Sequence, residues 1–252
     1  MKRILTALLC LVTLFSCKKE EPKEPPPLPP VVNTGDISGK VTHYDQFGTA
    51  YTSNLNTTTV SIEGYGFSTV TDALGSYTLS GVTSNTYTLV FNKPGCGLIK
   101  KQKLIYTLGD TVKYDISVAD IPTFSLDMVY AKDTSWFNGT LKGIYYGASA
   151  SVQNKKAMVV AIFGKTQNLD IDFPATYLNY VTASRADTSD FKRFFSYSLL
   201  KDTYNFKKDS IVYMRIYPVS TLGSSYYDSK FNTPVFTAHG IAYPTLLSLY
   251  VQ

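Results

Sequence analysis

The stretch Thr69-Val-Thr-Asp72-Ala-Leu-Gly75-Ser-Tyr77-Thr-Leu79-Ser-Gly81-Val82 decides the fold class. Its second half alternates apolar and polar side chains, which on an extended chain places Tyr77 and Leu79 on one face and the threonine and serines on the other. Asp72 is able to bond the backbone of a tight turn, and Gly75 accepts a positive φ without steric penalty, so Asp72–Gly75 predicts a turn between two strands and the whole reads as a hairpin.

The same pattern continues on both sides. Short alternating segments broken by Gly, Asn and Asp predict strands at Ile37–His43, Thr58–Ile62, Phe67–Thr71, Ser76–Ser80, Tyr87–Phe91, Leu98–Leu108 and Thr111–Val118. Seven short strands at this spacing predict a β-sandwich over residues 36–118. Ile121-Pro122 marks a junction, because proline interrupts strand pairing and the apolar pattern restarts at Phe124. Strands are then expected at Phe124–Tyr130, Gly139–Tyr146, Ala157–Gly164, Tyr177–Ala183, Phe191–Leu200, Ile211–Val219, Val235–Ala238 and Leu246–Val251, a second sandwich over residues 121–252. The composition agrees: 20 Tyr and 14 Phe favour strands, and no long Glu/Lys/Leu/Ala stretch favours a helix. The expected class is all-β, two tandem β-sandwich domains, each near the size that supports its own core.

The residues of the first sandwich resemble the carboxypeptidase regulatory-like domain, a transthyretin-like sandwich. The resemblance is carried by Ile37-Ser-Gly39-Lys-Val41, by Val60-Ser-Ile62, by the turn from Asp72 through Gly75 to Tyr77, and by Gly81-Val82 and Tyr87-Thr-Leu89. It covers about a third of the chain and implies an accessory or spacer module of surface proteins, with no catalytic residues to carry over. In the second sandwich, Tyr213-Met-Arg215-Ile-Tyr217 resembles the penultimate strand of fibronectin type III or immunoglobulin-like modules, which makes Tyr213 the candidate for a tyrosine corner. The tryptophan expected on the third strand of such modules is replaced by Met158-Val-Val-Ala-Ile162-Phe163.

Residues 1–16 run from Lys2 and Arg3 into the apolar stretch Ile4–Phe15, the layout of a secretory signal and short for a bilayer span. Leu14-Phe15-Ser16-Cys17 resembles the bacterial lipobox, which implies lipidation of the Cys17 sulfur and two or three acyl chains, enough for stable membrane anchoring. An ordinary signal peptide with an unmodified Cys17, or a short buried helix over residues 4–16, is the alternative. Lys18-Lys-Glu-Glu21 resembles the charged tetrad that sends lipoproteins of Bacteroidetes-type bacteria to the outer face of the outer membrane; a solvated linker is the other reading. Pro22-Lys-Glu-Pro-Pro-Pro-Leu-Pro-Pro30 predicts a polyproline spacer. The stalk over residues 17–35 would reach up to about 50 Å from the lipid.

Charge and cysteine usage narrow the function. The formal charge of +5 falls to +3 once Lys2 and Arg3 leave with the leader (5 − 2), and its interspersed distribution gives no nucleic-acid footprint. Cys10 lies in the leader and Cys17 beside it as the residue expected to be lipidated, so Cys96 has no intramolecular partner and no disulfide framework is expected. A Ser/His/Asp hydrolase needs histidine, and only His43 and His239 exist, in different predicted domains. Cys96, in the loop Pro94-Gly-Cys-Gly97, has no histidine or second cysteine near it in sequence and reads as a quiet thiol. Asp170 and Asp172 would share a face if Ile171 lay in a strand, as glycosidase or calcium carboxylates do, but a solvated edge is the plainer reading. Ser224-Ser-Tyr226-Tyr227 and Gly143-Ile-Tyr145-Tyr146 offer either an aromatic surface for sugar or protein or buried tyrosines with satisfied hydroxyls. Asp110-Thr-Val112 and Asp209-Ser-Ile211 resemble the O-glycosylation sequon of Bacteroidetes.

The expectation is therefore a non-enzymatic lipoprotein of the outer-membrane surface, with no cofactor or metal. It would be anchored through Cys17 and present β-sandwich modules to glycan or protein. A structural or accessory subunit of an uptake or adhesion complex is the alternative, and an unrecognised hydrolase a third.

Overall fold

A computed structural model describes residues 33–109, 112–132, 136–142, 156–172, 179–186, 190–194, 202, 205–242 and 246–250. Cys17, the leader, the stalk up to residue 32 and Tyr145-Tyr146 lie outside them. Asn33–Gln252 forms one compact unit, and the named elements among its described residues are all β-strands. The all-β expectation holds, and every predicted strand has an observed counterpart.

The N-terminal part is a sandwich of two sheets. In one, β1 (Gly35–Tyr44) pairs antiparallel with β4 (Ser76–Val82) and parallel with β7 (Val112–Lys113) and β8 (Ile116–Ala119). In the other, the order is β3 (Ser68–Val70), β2 (Thr59–Ile62), β5 (Asn85–Asn92) and β6 (Ile99–Tyr106), all antiparallel. Ile37, Val41, Tyr77, Leu79 and Val82 from the first sheet meet Val60, Ile62, Tyr87, Leu89, Phe91 and Ile99 from the second, each buried. The alternation read from the sequence thus sets the inward faces.

Two features differ from expectation. Asp72–Gly75 is a turn, with Gly75 N–H donating to the Asp72 carbonyl at 3.0 Å and Gly75 at φ +82°, but it does not close a hairpin. β3 pairs with β2 and β4 with β1, so the turn carries the chain from one sheet to the other. Long-range partners impose this: Val41 N–H donates to the Gly75 carbonyl at 2.8 Å, and Thr71 Oγ accepts from Thr58 N–H and donates to the Leu55 carbonyl. The predicted strand Thr111–Val118 is likewise broken, into β7 and β8. Asp115 accepts from Lys40 N–H at 2.8 Å, a carboxylate taking the place of a ladder carbonyl, and Tyr77 Oη donates to the Tyr114 carbonyl at 2.7 Å.

In the C-terminal part, β11 (Lys156–Gly164) is central in a sheet with β12 (Asn179–Ala186), β14 (Ile211–Val219) and β17 (Leu247–Tyr250). β9 (Ser125–Lys132), β10 (Trp136–Lys142) and β13 (Asp190–Phe194) form another sheet. Along most of β14 side chains alternate: Val212, Met214 and Ile216 are buried while Tyr213 and Arg215 are partly exposed. At its end both faces are covered, because Tyr217 and Val219 join Val160, Ile162, Leu169, Ile171 and Phe236 in a second core. The Tyr213 hydroxyl meets the Gln167 amide at 3.5 Å, whereas Tyr217 Oη accepts a backbone N–H, that of Ile171 at 3.4 Å. β15 (Ser225–Asp228) pairs with β16 (Thr233–Phe236) as a two-stranded hairpin; β15 had no counterpart in the sequence reading.

The seam between the two parts is polar and close. Gln46 binds Thr123 through both side-chain ends, its carbonyl accepts from Thr221 N–H, and Ser220 Oγ donates to the Asp120 carbonyl. Gly97 packs on the backbone of Thr237 and Ala238, where a Cβ would come within 2.3 Å of the Ala238 nitrogen.

Candidate functional site

β6 lies at the edge of its sheet, where its free backbone groups invite a further strand. Lys100, Lys101 and Lys103 occupy that edge, and the β15–β16 hairpin approaches it. The hairpin is held there by side chains. Gln102 donates to Asp228 at 3.0 Å and accepts from Ser229 N–H at 2.9 Å. Asp228 also accepts from Lys230 N–H at 2.8 Å and Phe231 N–H at 3.1 Å, closing the hairpin turn. Burial alone would raise the Asp228 carboxyl; the Phe231 and Lys230 amides, Gln102 and Lys100 outweigh it and hold the group below its ordinary value.

Between strand and hairpin runs an open cleft of about 360 Å³, lined by Lys101, Gln102, Tyr114, Ile116, Tyr226 and Tyr227 among others. Tyr226 is partly buried against the N-terminal core, while Tyr227 is 55% exposed. Of the pair, Tyr227 is an exposed ring and Tyr226 is half-buried. Lys101 Nζ stands 5.3 Å over the Tyr114 ring. Aromatic faces, ammonium groups and an amide on one concave surface match the polar and C–H faces of a sugar or an extended polypeptide.

A second cluster lies at the seam. His43 near the end of β1, Cys96 in the loop after β5 and Asp120 just past β8 converge, with Nε2–Oδ1 at 2.6 Å, Sγ–Nε2 at 3.3 Å and Sγ–Oδ1 at 3.6 Å. The thiol that had no histidine near it in sequence has one in space. Sequence separations of 53 and 24 residues hid the contact, which depends on the parallel pairing of β1 with β8. Tyr51 stacks on His43 with centroids 4.3 Å apart and donates to Asp120 Oδ2 at 2.7 Å. That bond to a carboxylate, with burial and the nearby acids, pushes the Tyr51 hydroxyl up to about 12. Burial and Asp120 push the Cys96 thiol up to about 12, so it is protonated at neutral pH. In a nucleophilic relay the carboxylate holds Nδ1 and Nε2 faces the nucleophile; here thiol and carboxylate meet the same nitrogen, which is not a relay geometry.

The remaining residues singled out by sequence divide. Asp170 and Asp172 do not lie in a strand: Asp172 N–H donates to Asp170 Oδ1 at 3.1 Å, and Ile171 between them is buried. Asp172 Oδ1 meets His239 Nε2 at 3.0 Å, and the His239 ring sits edge-on to Tyr217 at 5.5 Å. His239 is thus tied to a carboxylate, and also bridges Val219 through its backbone. Cys96 is a free, buried thiol.

No protein-family model and no curated protein matches the chain. Among solved structures, a chain of a cohesin–X-dockerin complex from Acetivibrio cellulolyticus is 26% identical over 33% of this chain, with a TM-score of 0.27; the match spans about half (51%) of that chain. A candidate carbohydrate-binding protein from Bacteroides uniformis is 15% identical over 85% of this chain and 98% of its own, with a TM-score of 0.29. A DUF3823 family protein from Bacteroides ovatus is 12% identical over 87% of this chain and all of its own, with a TM-score of 0.28.

Proposed function

We propose that the chain is a non-enzymatic surface lipoprotein, anchored through Cys17, whose residues 36–118 and 121–252 form β-sandwich modules that bind glycan. The observation that carries this reading is the cleft between β6 and the β15–β16 hairpin. It combines the exposed Tyr227 ring, the Lys101–Tyr114 pair and the Gln102 amide on one accessible surface. A sugar stacks its C–H face on an aromatic ring and offers hydroxyls to amide and ammonium donors. The carboxypeptidase regulatory-like resemblance of residues 36–118 supports the display role of the first module. The lipobox resemblance supports the anchor at Cys17, and the resemblance of Lys18-Lys-Glu-Glu21 to a sorting tetrad supports the outer membrane as its place.

The test is a glycan array probed with the full chain and with Tyr227→Ala and Lys101→Ala. Binding by the wild type that falls at least about tenfold in either variant, with unchanged thermal melting, supports the reading; a tenfold fall corresponds to about 1.4 kcal/mol. Binding that both variants retain overturns the cleft assignment. A stable stoichiometric protein partner recovered from native membranes, with no array binding, would instead favour an accessory subunit. Turnover of a glycoside, ester or peptide by the full chain would overturn the non-enzymatic reading.

A further inference from the structure

We propose that His43, Cys96 and Asp120 form a three-ligand site for a borderline-soft divalent cation, Zn2+, at the seam between the two parts of the molecule. The site is separate from the β6–β15 cleft, so either reading can fail without the other.

The donor set comes first. An imidazole nitrogen, a thiol sulfur and a carboxylate oxygen are the three ligand types that zinc takes, and three protein ligands with one open position is a common zinc arrangement. The donor atoms all lie within 4.8 Å of one another. Bond lengths of about 2.0–2.3 Å and tetrahedral angles would set donor atoms about 3.4–3.6 Å apart. Sγ–Oδ1 at 3.6 Å already meets that spacing, and Sγ–Nε2 at 3.3 Å lies just below it. The Nε2–Oδ1 pair, at the 2.6 Å of a hydrogen bond, opens by about 0.8 Å when a metal replaces the shared proton.

Convergence on one nitrogen is the second argument. A proton on Nε2 bonds the carboxylate well and leaves the thiol a weak partner, whereas a cation at the common point satisfies all three atoms at once. Metal uptake requires neutral imidazole with its proton on Nδ1, and the thiol proton passes to solvent as the thiolate forms.

Supporting contacts are also in place. Tyr51 donates to Asp120 Oδ2, the oxygen turned away from the cluster, and stacks on the His43 ring, so both ligands are oriented by one outer residue. Asp120 is fixed through its backbone as well: its N–H donates to the Tyr44 carbonyl at 3.1 Å, and its carbonyl accepts from Ser220 Oγ. The Asp120 side chain is 32% exposed against 12% for His43, and a water would be the fourth ligand of the proposed site. A metal here would clamp β1, the loop carrying Cys96 and the segment that enters the C-terminal part.

The test uses the full chain after chelator treatment, with Co2+ and then Zn2+ as probes. The expected result is one Co2+ per chain with a thiolate-to-cobalt charge-transfer absorption in the near ultraviolet, displaced by Zn2+. Zn2+ at about a hundredfold excess over its Kd should raise Tm by about 5–10 °C. Cys96→Ala should abolish the absorption. Asp120→Asn and His43→Gln, which keep every cysteine, should weaken affinity at least about tenfold, and Tyr51→Phe by about tenfold. No absorption in the wild type overturns the site, and so does an absorption that persists at wild-type affinity in Asp120→Asn or His43→Gln. The latter would place the thiolate ligand elsewhere.

Discussion

Gln102 on β6 and Asp228 on β15 are joined side chain to side chain at 3.0 Å, across 126 residues of sequence. This pair holds the hairpin beside the sheet edge together with the Ser229–Gln102 bond and the packing of Tyr226 on the N-terminal core, and the concave surface lies between the two elements.

Asp228→Ala should cost about 2–3 kcal/mol in urea unfolding, since it removes a charged acceptor and leaves the Phe231 and Lys230 amides and the Gln102 amide short of a partner. The carboxyl is held below its ordinary value of 3.8, so its contribution is fully present above about pH 4 and is lost as pH falls through the lower folded value. Asp228→Ala should therefore flatten that acid limb of the stability curve. An unchanged limb would show that other groups carry it.

Gly39→Ala should destabilise by about 2–4 kcal/mol, because its Cβ would lie 2.0 Å from the Tyr114 carbonyl oxygen, backbone that cannot rotate away. Gly66→Ala, with nothing within 4 Å of the added carbon, should stay within about 0.5 kcal/mol of wild type. Chemical denaturation of the pair checks the contrast.

Leu89→Ala, at a fully buried position of the N-terminal core, should cost about 2–5 kcal/mol by the transfer and cavity terms together. Ile162→Val in the other core removes a single methylene and should cost about 0.5–1.5 kcal/mol. Thermal melts of both variants against wild type measure the difference.

Cys17→Ser should abolish metabolic incorporation of palmitate and release the protein from the membrane fraction, since without acyl chains nothing offsets the cost of leaving water. Palmitate labelling that survives the substitution would locate the acylated residue elsewhere.

Strand identity was largely legible in the sequence because side-chain alternation is a local property. Tyr77 and Leu79 had to face one way, and Val212, Met214 and Ile216 another, whatever their neighbours did. Connection was less legible. The Asp72–Gly75 turn was correctly located, yet whether β3 and β4 pair with each other or with different sheets depended on Val41, Thr58 and Leu55, all distant in the chain. β15 escaped notice because Ser225–Asp228 is short, with a half-buried face only on docking against β6.

By itself the sequence determined the all-β class and which side chains of a strand share a face, since these follow from residue type and near-neighbour spacing. Only the tertiary structure decided which residues meet. The parallel pairing of β1 with β8 brought His43 and Asp120 together, and the loop after β5 delivered Cys96 to them. No local pattern encodes such a meeting, because its energetic terms are long-range pairings that exist only once both sheets have formed.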